Sequence, residues 1–129
     1  MSTATLQRKK TVMIADDNQG ILDVMRVILE NKDYIVVTTN DGRDVLKMKA
    51  PLPDLLFLDL MLSGTDGRDL CRELKSNKKS RDLPILMLSA NSELEAISEA
   101  CGADGYLSKP FDMNDMLDLV DFHITKRTK

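Results

Sequence analysis

Three aspartates, a serine and a lysine stand at the ends of short apolar runs in this 129-residue chain. The stretch TVMIADDN (11–18) runs straight into Asp16 and Asp17, LLFLD ends on Asp59, ILMLS ends on Ser89 ahead of Ala90, and GYLSKP delivers Lys109 just before Pro110. Carboxylates gathered at one place repel, and at least one of them holds its proton unless a cation offsets the charge. Hard oxygen donors in this number suit Mg²⁺ (or Mn²⁺); Mg²⁺ takes one or two carboxylates, keeps several waters and completes its shell with phosphate oxygens. Lys109 adds a point charge suited to a phosphoryl oxygen, and Ser89 adds a hydroxyl. Together these residue types point to phosphoryl chemistry at a divalent cation.

That chemistry requires a scaffold that brings distant segments together. Apolar runs fall at Thr11–Ala15, Tyr34–Thr38, Leu55–Leu58, Ile85–Leu88 and Gly105–Leu107. They are rich in Val, Ile and Leu and too short for helices, which predicts strands buried on both faces. Helix-length segments lie between them. Ile21, Met25, Ile28 and Leu29 line one face of the first, and Leu70, Cys71 and Leu74 one face of the third. The second, about 42–49, is short. Ser92 followed by Glu95 predicts a capping-box start for a fourth helix over 93–100, with Gly102 as its left-handed C-cap. Met113, Met116, Leu117, Val120 and Ile124 mark a fifth over about 113–125, its methionines read as core. Alternating strands and helices predict right-handed crossovers and a parallel sheet covered on both faces. Ligands of such sheets bind beyond the carboxyl ends of the strands, where these five side chains converge.

Composition narrows the class. Apolar content of 43% with 30% charged residues fits one soluble globular domain. No apolar stretch approaches the length of a membrane span, and no export signal is read at the start. Residues 1–8 are expected to form a disordered leader and residues 9–127 the domain. Cys71 and Cys101, neither spaced for a metal with the lone His123, are expected to be reduced thiols of a cytoplasmic protein. A net charge of −3 and short basic clusters without aromatics argue against direct nucleic-acid binding.

The ordered set of Asp16-Asp17, Asp59, Ser89-Ala90 and Lys109-Pro110-Phe111, each at a successive strand end, resembles the response-regulator receiver domain across nearly the whole chain. The resemblance implies a doubly wound, flavodoxin-like (βα)5 sandwich with strand order 2-1-3-4-5. It implies that Asp59 accepts a phosphoryl group from a phosphohistidine on a sensor histidine kinase or phosphotransfer protein. Asp17, Asp59 and the Met61 backbone carbonyl would bind Mg²⁺ directly, and Asp16 through water. Ser89, the Ala90 N–H and Lys109 would hold the phosphoryl oxygens. Ser89 and Tyr106 would act as the switch, changing a protein-binding face made by the fourth helix, fifth strand and fifth helix. Met61 and Asn91 would tune dephosphorylation, and the Lys109–Pro110 bond would be cis. Three positions depart from the family pattern: Ser63 and Thr65 stand where proline and methionine are usual, and Ser89 where threonine is commoner, keeping the hydroxyl. Loss of the proline frees φ, which predicts a looser loop at 62–65.

Other classes fit less well. A haloacid-dehalogenase-type phosphatase needs Asp-x-Asp, and position 61 is methionine. A flavodoxin-like electron carrier would have its FMN phosphate repelled by Asp16 and Asp17. A phosphorylation-independent pseudo-receiver, acting only as an interaction module, is the alternative, and the complete acidic set argues against it.

Overall fold

The computed structural model describes residues 9–127, so the expected leader lies outside it. Five strands, β1 (Thr11–Ala15), β2 (Ile35–Thr39), β3 (Leu55–Asp59), β4 (Ile85–Ser89) and β5 (Gly105–Ser108), alternate with α1 (Gln19–Glu30), α2 (Gly42–Leu46), α3 (Gly67–Ser76), α4 (Leu94–Ala100) and α5 (Met113–Arg127). The strands form one parallel sheet in the order β2-β1-β3-β4-β5. This is the doubly wound architecture that the alternation predicts, with the order that the resemblance implies.

Alternation of side chains along each strand divides the core in two. Val12 and Ile14 of β1, with Leu55 and Phe57 of β3, pack against Leu22, Met25 and Leu29 of α1 and Met116, Val120 and Ile124 of α5. Met13, Ala15, Leu56 and Leu58 face the other way, onto Val45 of α2, Leu70, Cys71 and Leu74 of α3, and Leu94 of α4. Both cysteine thiols are buried and unbridged, and burial, together with neighbouring Cys101, pushes the Cys71 thiol up. Among the described residues no helix is long and apolar enough to cross a membrane.

Three expectations need correction. β2 and β5 are the edge strands and alternate, with Ile35, Val37 and Tyr106 exposed and Val36 and Leu107 buried, so neither is covered on both faces. Tyr34 lies just before β2. The capping box at Ser92 does not form: Glu93 occupies the N-cap of α4 with no side-chain cap bond, and the Asn91 Oδ1 accepts from the Glu93 N–H at 2.7 Å. Asparagine at 91 therefore captures the turn one residue ahead of the expected cap. Met113, expected in the core, is exposed at the start of α5, while Met116 is fully buried. Gly102 has φ +83°, as its C-cap role requires.

Candidate functional site at the carboxyl ends of the strands

Strand register sets the site. Ala15 pairs with Leu58, so the next residues of the two strands, Asp16 and Asp59, emerge side by side at the sheet rim. Asp59 pairs in turn with Leu88, and Ser89 with Ser108, which brings Ser89 and Lys109 to the same rim. The Lys109 N–H donates to the Ser89 carbonyl at 2.8 Å, and the Lys109–Pro110 bond is cis, as the resemblance implies.

Asp16 is wholly buried. Its Oδ1 accepts from the Asn18 N–H at 2.8 Å, while Asn18 itself caps α1 through a side-chain bond from the Ile21 N–H. The turn that launches α1 thereby fixes the carboxylate. Among the described residues the Asp16 Oδ2 has no aligned hydrogen-bond donor; the Lys109 ammonium faces it at 2.8 Å. The same ammonium stands 3.7 Å from the Asp59 Oδ2. One cation thus serves two carboxylates, leaving the pair short of positive charge.

Asp59 feels both its burial and that shortage. Burial, then the charge of Asp16, push its carboxyl up to about 6, against the opposing pull of Lys109 and the Met61 and Leu60 backbone N–H groups. A group whose folded value lies above its ordinary 3.8 stabilises the fold while protonated, and that contribution is lost as pH rises through the folded value. The metal-free protein should therefore lose stability between roughly pH 4 and 7 as Asp59 ionises beside Asp16. Thermal melts of parent and Asp59→Asn across that range check this. The variant should melt several degrees higher at pH 7, with the gap closing near pH 4.

Asp17 behaves differently from its neighbour. It is exposed, and both carboxylate oxygens accept from the Ser63 N–H, at 2.8 and 2.9 Å. Ser63 and Gly64, at φ +29° and +83°, are the two turn residues of a hairpin that pairs Met61 with Asp66 and Leu62 with Thr65. Positive φ at both turn positions is the geometry of a two-residue type I′ hairpin. The loop expected to loosen without its proline is instead paired and tied to Asp17. Proline could adopt neither the φ nor the donation.

The hairpin leads into α3 through a close approach that neither composition nor period reveals. The Gly67 N–H donates to the Leu60 carbonyl at 2.7 Å, and a Cβ on Gly67 would run into the Asp59 carbonyl oxygen. Asp66 caps α3 by accepting from the Arg68 N–H.

The remaining expected residues are spread around the rim. Ser89 is half-buried, its Oγ accepting from the Asn91 N–H at 3.0 Å; Ala90 and Asn91 are exposed. The Met61 side chain is 60% exposed, and Tyr106 is 37% exposed, facing a groove between β5 and α5 beside Asp118, Leu119 and Phe122. Among the described residues no set of three acidic, histidine or cysteine side chains is arranged to hold a metal as it stands. Of the adjacent carboxylates, Asp16 faces the Lys109 ammonium and Asp17 accepts from the Ser63 N–H. Still, the donor set fits Mg²⁺: hard oxygens, a buried carboxylate oxygen without a hydrogen bond, and an Asp59 carboxyl pushed up by burial and then by the charge of Asp16. Sequence reasoning missed Asn18 and the partnership of Ser63. The first is signalled by its place ahead of an amphipathic run; the second has no local signal, because its acceptor is 46 residues away.

Comparison with known proteins agrees with this geometry. The family model of the response regulator receiver domain matches residues 12–121. The DNA-binding dual master transcriptional regulator RpaA of Synechocystis is 38% identical over 109 residues, covering 82% of this chain and 45% of the relative. The alkaline phosphatase synthesis transcriptional regulatory protein PhoP of Bacillus subtilis is 36% identical over 110 residues, covering 83% and 45%. The chain thus aligns with about half the length of these curated relatives. The solved receiver domain of the sensor histidine kinase PA1611 from Pseudomonas aeruginosa, with magnesium coordinated in its active-site cleft, superposes with a TM-score of 0.78 at 25% identity, covering 92% of this chain and 99% of that one. With the acidic rim, the β2-β1-β3-β4-β5 sheet and a family match running from β1 into α5, this chain belongs to the response-regulator receiver family, the signalling domains of two-component systems.

Proposed function

We propose that this domain accepts a phosphoryl group on Asp59 from the phosphohistidine of a sensor histidine kinase or phosphotransfer protein, in a Mg²⁺- or Mn²⁺-dependent reaction. The observation that carries the reading is the half-buried Asp59 carboxylate beside Asp16 under the single Lys109 ammonium. In this reading an Asp59 oxygen attacks phosphorus and the N–P bond to the donor breaks. Lys109, the Ser89 hydroxyl and the Ala90 N–H hold the phosphoryl oxygens. Asp17, Asp59 and the Met61 carbonyl would hold the cation directly and Asp16 through water. The cation, when bound, neutralises charge on the acceptor and on the transferred group. The protein's part is positioning and electrostatics, with no other turnover, so the domain is a self-modifying switch rather than an enzyme in the usual sense.

Output follows from the same groups. Once Lys109 is drawn to the phosphoryl group, Ser89 moves toward it and Tyr106, now half-exposed at the β5–α5 groove, turns inward. The face of α4, β5 and α5 then presents a different surface to a downstream protein, with the cytoplasm as the place of action. Neither nucleic acid nor membrane is bound by this domain itself. A charge added at a bistable element is the general logic of such switches. Phosphoramidate, a small donor with an N–P bond, provides the test. Labelling should proceed in Mg²⁺ and stop in chelator; equal labelling in both would overturn the cation-dependent reading.

Signal lifetime should depend on Met61 and Asn91, which flank the line of water attack. The Met61 side chain has no hydrogen-bond donor, and the Asn91 Oδ1 is engaged by the Glu93 N–H. Neither carries a charge that could orient water. Met61→Asn with Asn91→Glu should hasten phosphoryl loss about tenfold, followed after the donor is removed. Decay no faster than in the parent would show that these positions do not limit the reaction.

A further inference from the structure

We propose that Ser63 is a latch on Asp17: its backbone N–H occupies the carboxylate in the metal-free protein and must let go when the cation binds. This rests on the reading of Asp17 as a direct cation ligand. Both Asp17 oxygens accept from the one Ser63 N–H, at 2.8 and 2.9 Å, so the donor lies between them, where a cation would approach. The Ser63 hydroxyl has a single proton and two acceptors in reach, the Asp17 Oδ1 and the Asn40 carbonyl, each at 3.2 Å. When Asp17 leaves, the hydroxyl still has Asn40; the N–H loses its partner. Release therefore acts on the backbone of the hairpin.

The hairpin is built to feel that release. Serine at φ +29° sits in a conformation that side chains other than glycine's adopt reluctantly. The bonds to Asp17 help hold it there. Met61, whose carbonyl is the other backbone group assigned to the cation, lies two residues away in the same hairpin. Cation entry would then shift the loop beside the acceptor before any phosphoryl transfer, and it would compete with the latch for Asp17. Ser63 is on this account a positioning residue, acting through Asp17.

The experiment is a titration of ¹⁵N-labelled protein with MgCl₂ alone, following the Ser63 amide shift and its exchange with solvent, in the parent and in two variants. In the parent the amide should be protected without metal and should lose protection, with a large upfield shift, as Mg²⁺ saturates. Ser63→Pro removes the donor and cannot hold φ +29°, so its Mg²⁺ affinity should rise about three- to tenfold, the scale of one hydrogen bond to a charged group. Should the proline variant fail to fold, Ser63→Ala retains the N–H and should show the same loss of amide protection. Mg²⁺ binding that leaves the Ser63 amide protected and unshifted would overturn the latch while sparing the ligand reading. So would a folded proline variant that binds no more tightly than the parent. A parent that binds no Mg²⁺ would overturn both.

Discussion

Asp59→Asn is expected to abolish phosphorylation by small-molecule donors while the fold persists. The amide keeps the shape of the carboxylate and can still lie at the end of β3, but it offers no anionic oxygen to attack phosphorus. Nearby carboxylates are poor substitutes. Asp16 is buried with one oxygen bound to the Asn18 N–H and the other against Lys109, and Asp17 is held by Ser63. Loss should therefore be complete within detection, rather than the partial loss caused by removing a positioning group. Intact mass after incubation with donor and Mg²⁺ checks this, with circular dichroism to confirm folding. Stoichiometric labelling of the variant would move the acceptor elsewhere.

Gly67→Ala should be the most damaging single methyl in the domain. The new Cβ would meet the Asp59 carbonyl oxygen, a backbone atom inside the strand end, so no side-chain rotation relieves it. Either α3 backs away, breaking the Gly67 N–H bond to the Leu60 carbonyl, or the end of β3 shifts and takes Asp59 with it. Overpacking of this kind costs about 1–3 kcal/mol. A displacement near 1 Å at a reacting group can cost roughly a hundredfold in rate. The expected outcome is a melting temperature lowered by about 5 °C or more, with labelling at least tenfold slower. Gly64→Ala is the control: open space surrounds it, so only its positive φ is penalised, at about 1 kcal/mol. Equal destabilisation by the two would show that the close approach at Gly67 is not the cause.

Asp59 and Ser63 mark what could and could not be read from the sequence. Asp59 was legible because an apolar run has no packing use for a carboxylate at its end, and because four such anomalies recur at successive strand ends. The sheet was legible for the same reason: runs of Val, Ile and Leu separated by amphipathic segments admit few arrangements. The edge strands β2 and β5 escape the pattern because a short apolar run reads alike in a central strand and at an edge; only the neighbours decide. Ser92 and Glu95 satisfied a local pattern that Asn91 overrode by bonding the Glu93 N–H first. Ser63 was misjudged most instructively. A missing proline speaks of freedom gained, whereas the structure uses the regained N–H on a carboxylate across the rim and the regained φ for a hairpin turn.

The most direct test of the central claim is the mass of the parent protein after incubation with acetyl phosphate and Mg²⁺, followed by peptide mapping of the modified residue. The account predicts one added phosphoryl group, carried by the peptide containing Asp59 and removed by hydroxylamine, as an acyl phosphate is. An unmodified mass, or a phosphoryl group mapped to any residue other than Asp59, would contradict it.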